Sequence, residues 1–276
     1  MTNDPIRRAI RFEDLGHAYR RGDWVFRHCT ATVAAGQVFA LLGPNGRGKT
    51  TLLMALLGVM RPTEGTIEHS GRMAFVPQLF QVGFDFSVLD MVLMGRARHI
   101  RLFARPSRQD EDIALSALDR FGLADRADAP FHELSGGQRQ LVIFARGLVA
   151  EAEILLLDEP TSSLDVKNQA QVLDWIIRLS HEDGLTVIFS THHPHHALAV
   201  ADDAMLMSGE QDFICGPVDA VLTEANLQAL YGVPLKRLSF EHDGVTTQTI
   251  SPAFQPRKNM QASDAKPRAS QSAPYR

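Results

Sequence analysis

The chain has 276 residues, of which 45% are hydrophobic and 22% charged, and its formal net charge is −4. That mix gives a globular domain enough apolar surface to close a core without disulfide or metal staples, while the mildly acidic balance argues against bulk nucleic-acid binding, which leaves a basic footprint. The two cysteines, Cys29 and Cys215, lie in no CxxC pattern and read as reduced thiols.

In chain order, the polar start MTNDPIRRAI lacks the apolar stretch of a signal peptide, so the chain is expected in the cytosol. RFEDLGHAYR and WVFRHCTATVAAGQ then read as an antiparallel pair joined at Arg21-Gly22-Asp23. VFALLG (Val38 to Gly43) is a short continuous apolar run, which suits a strand buried on both faces. ILLLDE (Ile154 to Glu159) and TVIFSTH (Thr186 to His192) repeat the pattern. The longest apolar run, Leu52 to Met60, is far below the roughly 18 residues a helix needs to cross a bilayer. If the protein serves transport, other chains form the pore. DIALSALDRFGL (Asp112 to Leu123) gathers Ile113, Leu115, Leu118 and Phe121 near one helical face, with Gly122 as a stop. QAQVLDWIIRLS (Gln169 to Ser180) reads as another helix. Strands alternating with helices predict a layered α/β fold. Residues 79–150 read as a mostly helical insertion between two core strands. After about Phe240 the apolar pattern thins, so the folded domain is placed at 1–240 and a disordered Pro-, Ala- and Ser-rich tail at 241–276.

Three motifs carry chemistry. GPNGRGKT comprises Gly43, Pro44, Asn45, Gly46, Arg47, Gly48, Lys49 and Thr50, and it fits G-x-x-x-x-G-K-[ST] between a predicted strand and the helix that begins TTLLMALLG, with Thr51 at its first turn. The glycines let successive N–H groups point at phosphate oxygens, and the helix start adds its positive dipole end. Lys49 is suited to the β- and γ-phosphates and the Thr50 hydroxyl to Mg²⁺. The acidic pair ending ILLLDE supplies Asp158 for Mg²⁺ and Glu159 to polarise an attacking water. In LSGGQRQ, Ser135 and Gln138 form a capping-box pattern ahead of the apolar helix QLVIFARGLVA, and Gly136 and Gly137 expose N–H groups at its positive end.

LSGGQRQ, standing before ILLLDEPTSSLD, resembles the signature sequence of ABC ATPases. The resemblance runs from about Ile10 to Gly232. It implies a P-loop NTPase (RecA-like) core with an N-terminal antiparallel β subdomain and an inserted helical subdomain. It also implies an ATPase using ATP and Mg²⁺. In this family the signature of one subunit (here Leu134, Ser135, Gly136, Gly137 and Gln138) closes on the ATP held by the phosphate loop of another, so a chain with one copy of each implies a homodimer. Tyr19 then matches the aromatic that stacks on adenine, and Gln78 the Q-loop glutamine that contacts Mg²⁺ and the attacking water. Ser163-Leu164-Asp165 matches the D-loop at the dimer interface, and His192 the switch histidine of the γ-phosphate. Arg47 stands where the family carries a small residue; it either adds charge near the phosphates or points into solvent. HHPHH (His192 to His196) suggests a metal site, but His192 already has a role and Pro194 disrupts helical ligand spacing.

The segment FSVLDMVLMGRARHIRLFARPSRQDED resembles the ATPases of large-permease importers. That implies partners in polytopic permease subunits and, indirectly, a substrate-binding protein. It implies a peripheral position on the cytoplasmic face of the inner membrane. An iron–siderophore or similar metal chelate ranks first as cargo, with molybdate or tungstate, haem and cobalamin as alternatives. Arg96 and Arg98 fall in the part that meets the permease and either contact it or are solvated helix charges. A soluble ABC ATPase of DNA or ribosomes would bring long coiled coils or a tandem domain. A regulator without turnover would lack Glu159 or His192.

Overall fold

A computed structural model describes residues 8–78, 85–101, 103–242 and 244–254. Its strands are β1 (Arg8–Arg20), β2 (Asp23–Ala34), β3 (Val38–Leu42), β4 (Glu64–His69), β5 (Met73–Val76), β6 (Ile154–Leu157), β7 (Thr186–Thr191), β8 (Asp203–Met207), β9 (Phe213–Pro217), β10 (Leu235–His242) and β11 (Val245–Pro252). Its helices are α1 (Lys49–Leu56), α2 (Val88–Leu93), α3 (Arg108–Arg120), α4 (Gly136–Leu148), α5 (Val166–His181), α6 (Pro194–Val200), α7 (Val218–Val221) and α8 (Glu224–Tyr231).

The three apolar runs become β3, β6 and β7, neighbours in a six-stranded sheet of order β5-β6-β7-β3-β8-β9. All its pairings are parallel except β8 with β9. The runs are continuous because both faces are covered. Val38, Ala40 and Leu42 enter a core under α4, α5 and α6, whereas Phe39 and Leu41 enter a second core with Leu52 and Leu53 of α1 and Phe12 and Phe26 of the N-terminal strands. Those strands form a separate antiparallel sheet, β2-β1-β4.

Helices α2, α3 and α4 lie between β5 and β6, in the stretch expected as an insertion; residues 79–84 and 102 of that stretch are outside the described residues. Each helix begins in a capping box, at Ser87, Ser107 and Ser135. Helix α3 starts at Arg108, ahead of the predicted Asp112, because Ser107 and Asp110 cap each other. Similarly α5 starts at Val166 rather than Gln169, since the Asp165 carboxylate accepts the Asn168 N–H at 2.8 Å.

The C-terminal reading needs correction. Residues assigned to a disordered tail from 241 onward instead complete the hairpin β10–β11, which pairs from Leu235↔Pro252 to His242↔Val245. Leu235 and Ile250 bury themselves in the core, and Arg237 of β10 bonds to Gln248 of β11 and ties the hairpin to Asp219. The strand sequence VTTQTI is β-branched rather than strongly apolar, so hydrophobic thinning is a poor guide to its order. Residues 255–276 of the expected tail lie outside the described residues.

Candidate active site

The site grows from the ends of three adjacent strands. After β3 the chain turns through Gly46 and Gly48, both in the left-handed region (φ 80° and 86°), and enters α1 at Lys49. Gly48 also lies so close to β2 that a Cβ would sit 2.6 Å from Val25 Cγ1. This loop wraps Lys49, which is 5% exposed. Its ammonium donates to the carbonyls of Gly43 at 2.8 Å and Pro44 at 3.2 Å, and lies 3.3 Å from Glu159 Oε1.

The end of β6 delivers the two acids. The Thr50 hydroxyl donates to Asp158 Oδ2 at 2.7 Å, and the Ser190 hydroxyl donates to Asp158 Oδ1 at 2.6 Å. Ser190 also accepts the Glu159 N–H at 2.8 Å. The backbone turns left-handed at Glu159 (φ 44°), a conformation that is costly for a side chain with a Cβ and is stored where function requires it. From the end of β7, His192 Nδ1 lies 3.1 Å from Glu159 Oε2. Gln78, just after β5, donates its amide to Ser162 Oγ at 3.0 Å.

Of these residues Lys49, Thr50, Gln78 and Glu159 share one open cavity of about 630 Å³, lined also by Tyr19, Asn45, Gly46, Arg47, Gly48 and Thr51, whereas Asp158 and His192 do not line it. Arg47 is exposed on its wall. The Tyr19 ring is 62% exposed, with its hydroxyl 3.1 Å from Thr51 Oγ1. Trp24 and Val25 line the same cavity but were not selected from sequence; the cue was an aromatic beside the β1–β2 turn that carries Tyr19. Ser190 and Ser162 were missed too, since single serines beside a motif carry no spacing signal.

The signature residues do not line this cavity. Leu134 is buried, Ser135 caps α4, and Gly137 packs against the start of α5, where an added Cβ would meet Asn168 Oδ1 at 2.2 Å. Ser163 is exposed in a left-handed conformation (φ 62°), Leu164 is buried, and Asp165 caps α5. Signature and D-loop thus meet at two abutting helix starts, apart from the phosphate loop.

Arg96 departs from both readings given for it, a partner contact and a solvated helix charge. It is buried, donating to Asp110 Oδ1 at 3.0 Å, the Val149 carbonyl at 3.1 Å and Glu151 Oε1 at 2.5 Å. Hydrogen bonds from Ser107 and Arg96 hold the Asp110 carboxyl down at about 2. Arg98 is exposed. Among the histidines after His192, His196 lies against Thr161 Oγ1 at 3.1 Å, and burial pushes it down to about 3.

Comparison with known proteins agrees with this geometry. The ABC transporter family pattern matches residues 26–162. The chain is 43% identical over 230 residues to the molybdate import ATP-binding protein MolC of Haemophilus influenzae, covering 83% of this chain and 90% of that protein. It is 38% identical over 221 residues to a Helicobacter pylori protein described as an iron chelatin transport ATP-binding protein, covering 75% and 87%. A solved structure described as a metal-chelate type ABC transporter in an inward-facing conformation superposes with a TM-score of 0.86 at 40% identity, covering 90% of this chain and 99% of that one. With a phosphate loop, paired acids and a capped signature helix on that fold, the chain belongs to the ABC transporter family as an ATP-binding and ATP-hydrolysing subunit.

Proposed function

We propose that this chain works as a pair with itself, bound to polytopic permease subunits, to drive import of a metal as an oxyanion or chelate. The carrying observation is the meeting of Lys49, Thr50, Asp158, Glu159 and His192 at the ends of β3, β6 and β7, with the signature on a separate helix start. One chain therefore offers two half-sites. A second copy would bring its Ser135-Gly136-Gly137 helix start to the ATP on this chain's loop, where N–H groups and the helix dipole favour a phosphate.

Within the site, Lys49 and the loop N–H groups neutralise phosphate oxygens, Glu159 orients the attacking water and takes its proton, and His192 reaches the γ-phosphate. Tyr19 stands where it can stack on the adenine. The Thr50 hydroxyl and Asp158 carboxylate, 2.7 Å apart, form an all-oxygen donor pair that fits Mg²⁺. Gln78 gives its amide N–H to Ser162, which leaves the amide oxygen as a further donor to the metal. Bound Mg²⁺ supplies positive charge beside the phosphates.

No helix among the described residues is long and apolar enough to cross a membrane. An apolar groove of about 510 Å³, lined by Phe86, Leu93, Met94, Ile100 and Phe103, supports docking of a permease segment at the cytoplasmic face of the inner membrane. Phe103 is 98% exposed there. A substrate-binding protein would act on the far side of that permease. The sequence alone ranks an iron chelate first; the 43% identical relative named for molybdate sets that oxyanion beside it. Uptake of labelled molybdate and labelled ferric chelate by a deletion strain, complemented with the chain or with Lys49→Ala, tests the reading. One cargo is expected to depend on the intact chain; unchanged uptake of both would overturn it.

A further inference from the structure

Tyr231 ends α8, and the following Gly232 turns left-handed (φ 71°) into the C-terminal hairpin. The phenol is half-buried, and its hydroxyl donates to the backbone carbonyl of His192 at 3.0 Å. That carbonyl belongs to the residue just before His193, the cap of α6, so it has no place in the ladder of either β7 or α6. On the opposite side of the same loop, His192 Nδ1 lies 3.1 Å from Glu159 Oε2, and Glu159 Oε1 lies 3.3 Å from Lys49 Nζ. Tyr231 thus begins a continuous line of polar contacts that ends at the phosphate-loop lysine.

The hairpin completes the support. Val233, Leu235, Ile250 and Pro252 stand with Tyr231 around a cavity of about 290 Å³ whose other wall is His192, His193 and His195. Burial pushes the Tyr231 phenol up, so it stays a donor throughout the neutral range. Partial burial likewise pushes His193, whose ring lies 4.0 Å from that of His192, down.

We infer that Tyr231 is a positioning residue for ATP hydrolysis, fixing the backbone of the switch loop so that the His192 imidazole stays seated against Glu159. The inference rests on the proposed role of His192 at the γ-phosphate. It gives the C-terminal hairpin, distant in sequence from every motif, a part in the chemistry.

The test compares Tyr231→Phe, His192→Ala and the double variant in the full chain, measuring steady-state ATPase, equilibrium ATP binding and thermal melting. Loss of one hydrogen bond to a catalytic loop should lower kcat about 3- to 10-fold for Tyr231→Phe, with KM and ATP affinity unchanged. Adding Tyr231→Phe to His192→Ala should cause no further loss, because the residue being positioned is gone. A lower melting temperature with unchanged kcat would make Tyr231 a packing residue and overturn the inference. So would a further kcat loss of full size in the His192→Ala background. Wild-type hydrolysis by His192→Ala would instead overturn the role given to His192.

Discussion

Lys49 has two backbone carbonyls and one carboxylate around its ammonium, so its position is set before any phosphate is considered. Replacing it with Ala removes a buried cation from the cavity wall. Charge-assisted hydrogen bonds of this kind contribute about 1.5–3 kcal/mol each, so ATP affinity should fall at least about 10- to 100-fold in an equilibrium titration. Ser135 separates folding from function more sharply. Its hydroxyl oxygen accepts the Gln138 N–H at 3.3 Å, which leaves its own proton to donate to a phosphate in the proposed dimer. Ser135→Asp keeps a cap acceptor and adds negative charge at a helix start, which is stabilising. The same charge repels phosphate. That variant should melt at or above the wild-type temperature and yet lose ATPase activity; retained activity would remove Ser135 from the site.

At the scale of elements, Arg96 and Arg98 show what a short stretch of sequence hides. Two positions apart, one is buried beneath three acceptors and the other is exposed. Arg96→Glu places like charges together in a buried cluster and should lower the melting temperature by more than about 5 °C. Arg98→Glu should melt normally and lower uptake by the assembled importer, and normal uptake would make Arg98 a solvated charge. The strands were legible because burial on both faces leaves an uninterrupted apolar run, and the start of α4 because its capping box is local. Arg96 was not legible because its partners Asp110 and Glu151 lie 14 and 55 residues away. The β10–β11 hairpin was missed for a related reason: it is stabilised by cross-strand pairing and by Leu235 and Ile250, not by an apolar run. Tyr231 has no motif at all, and only folding brings it to His192.

For the whole molecule, Glu159 links chemistry to assembly. Glu159→Gln keeps the side-chain shape and removes the proposed base, while Lys49, Thr50 and Asp158, proposed to hold nucleotide, remain. Binding should survive and hydrolysis slow by about 10²–10⁴-fold. Each ATP would then hold two copies together for longer. Light scattering after size exclusion should show a monomer without nucleotide and a dimer with ATP, but not with ADP. Brisk hydrolysis by the variant would show that Glu159 is not the base.

The abutting starts of α4 and α5 bear on how such an assembly moves. At Gly137 the backbone of α4 lies against the Asn168 side-chain amide of α5, with no room for a Cβ. In mechanical terms the Asn168 amide is a thin pad between two bearing surfaces, and a bulkier residue at 137 would push the two helix starts apart. Any rotation of α4 against the sheet would press on α5 through that amide. The signature and the D-loop, whose Ser135 and Asp165 cap these two helices, would then be expected to shift together.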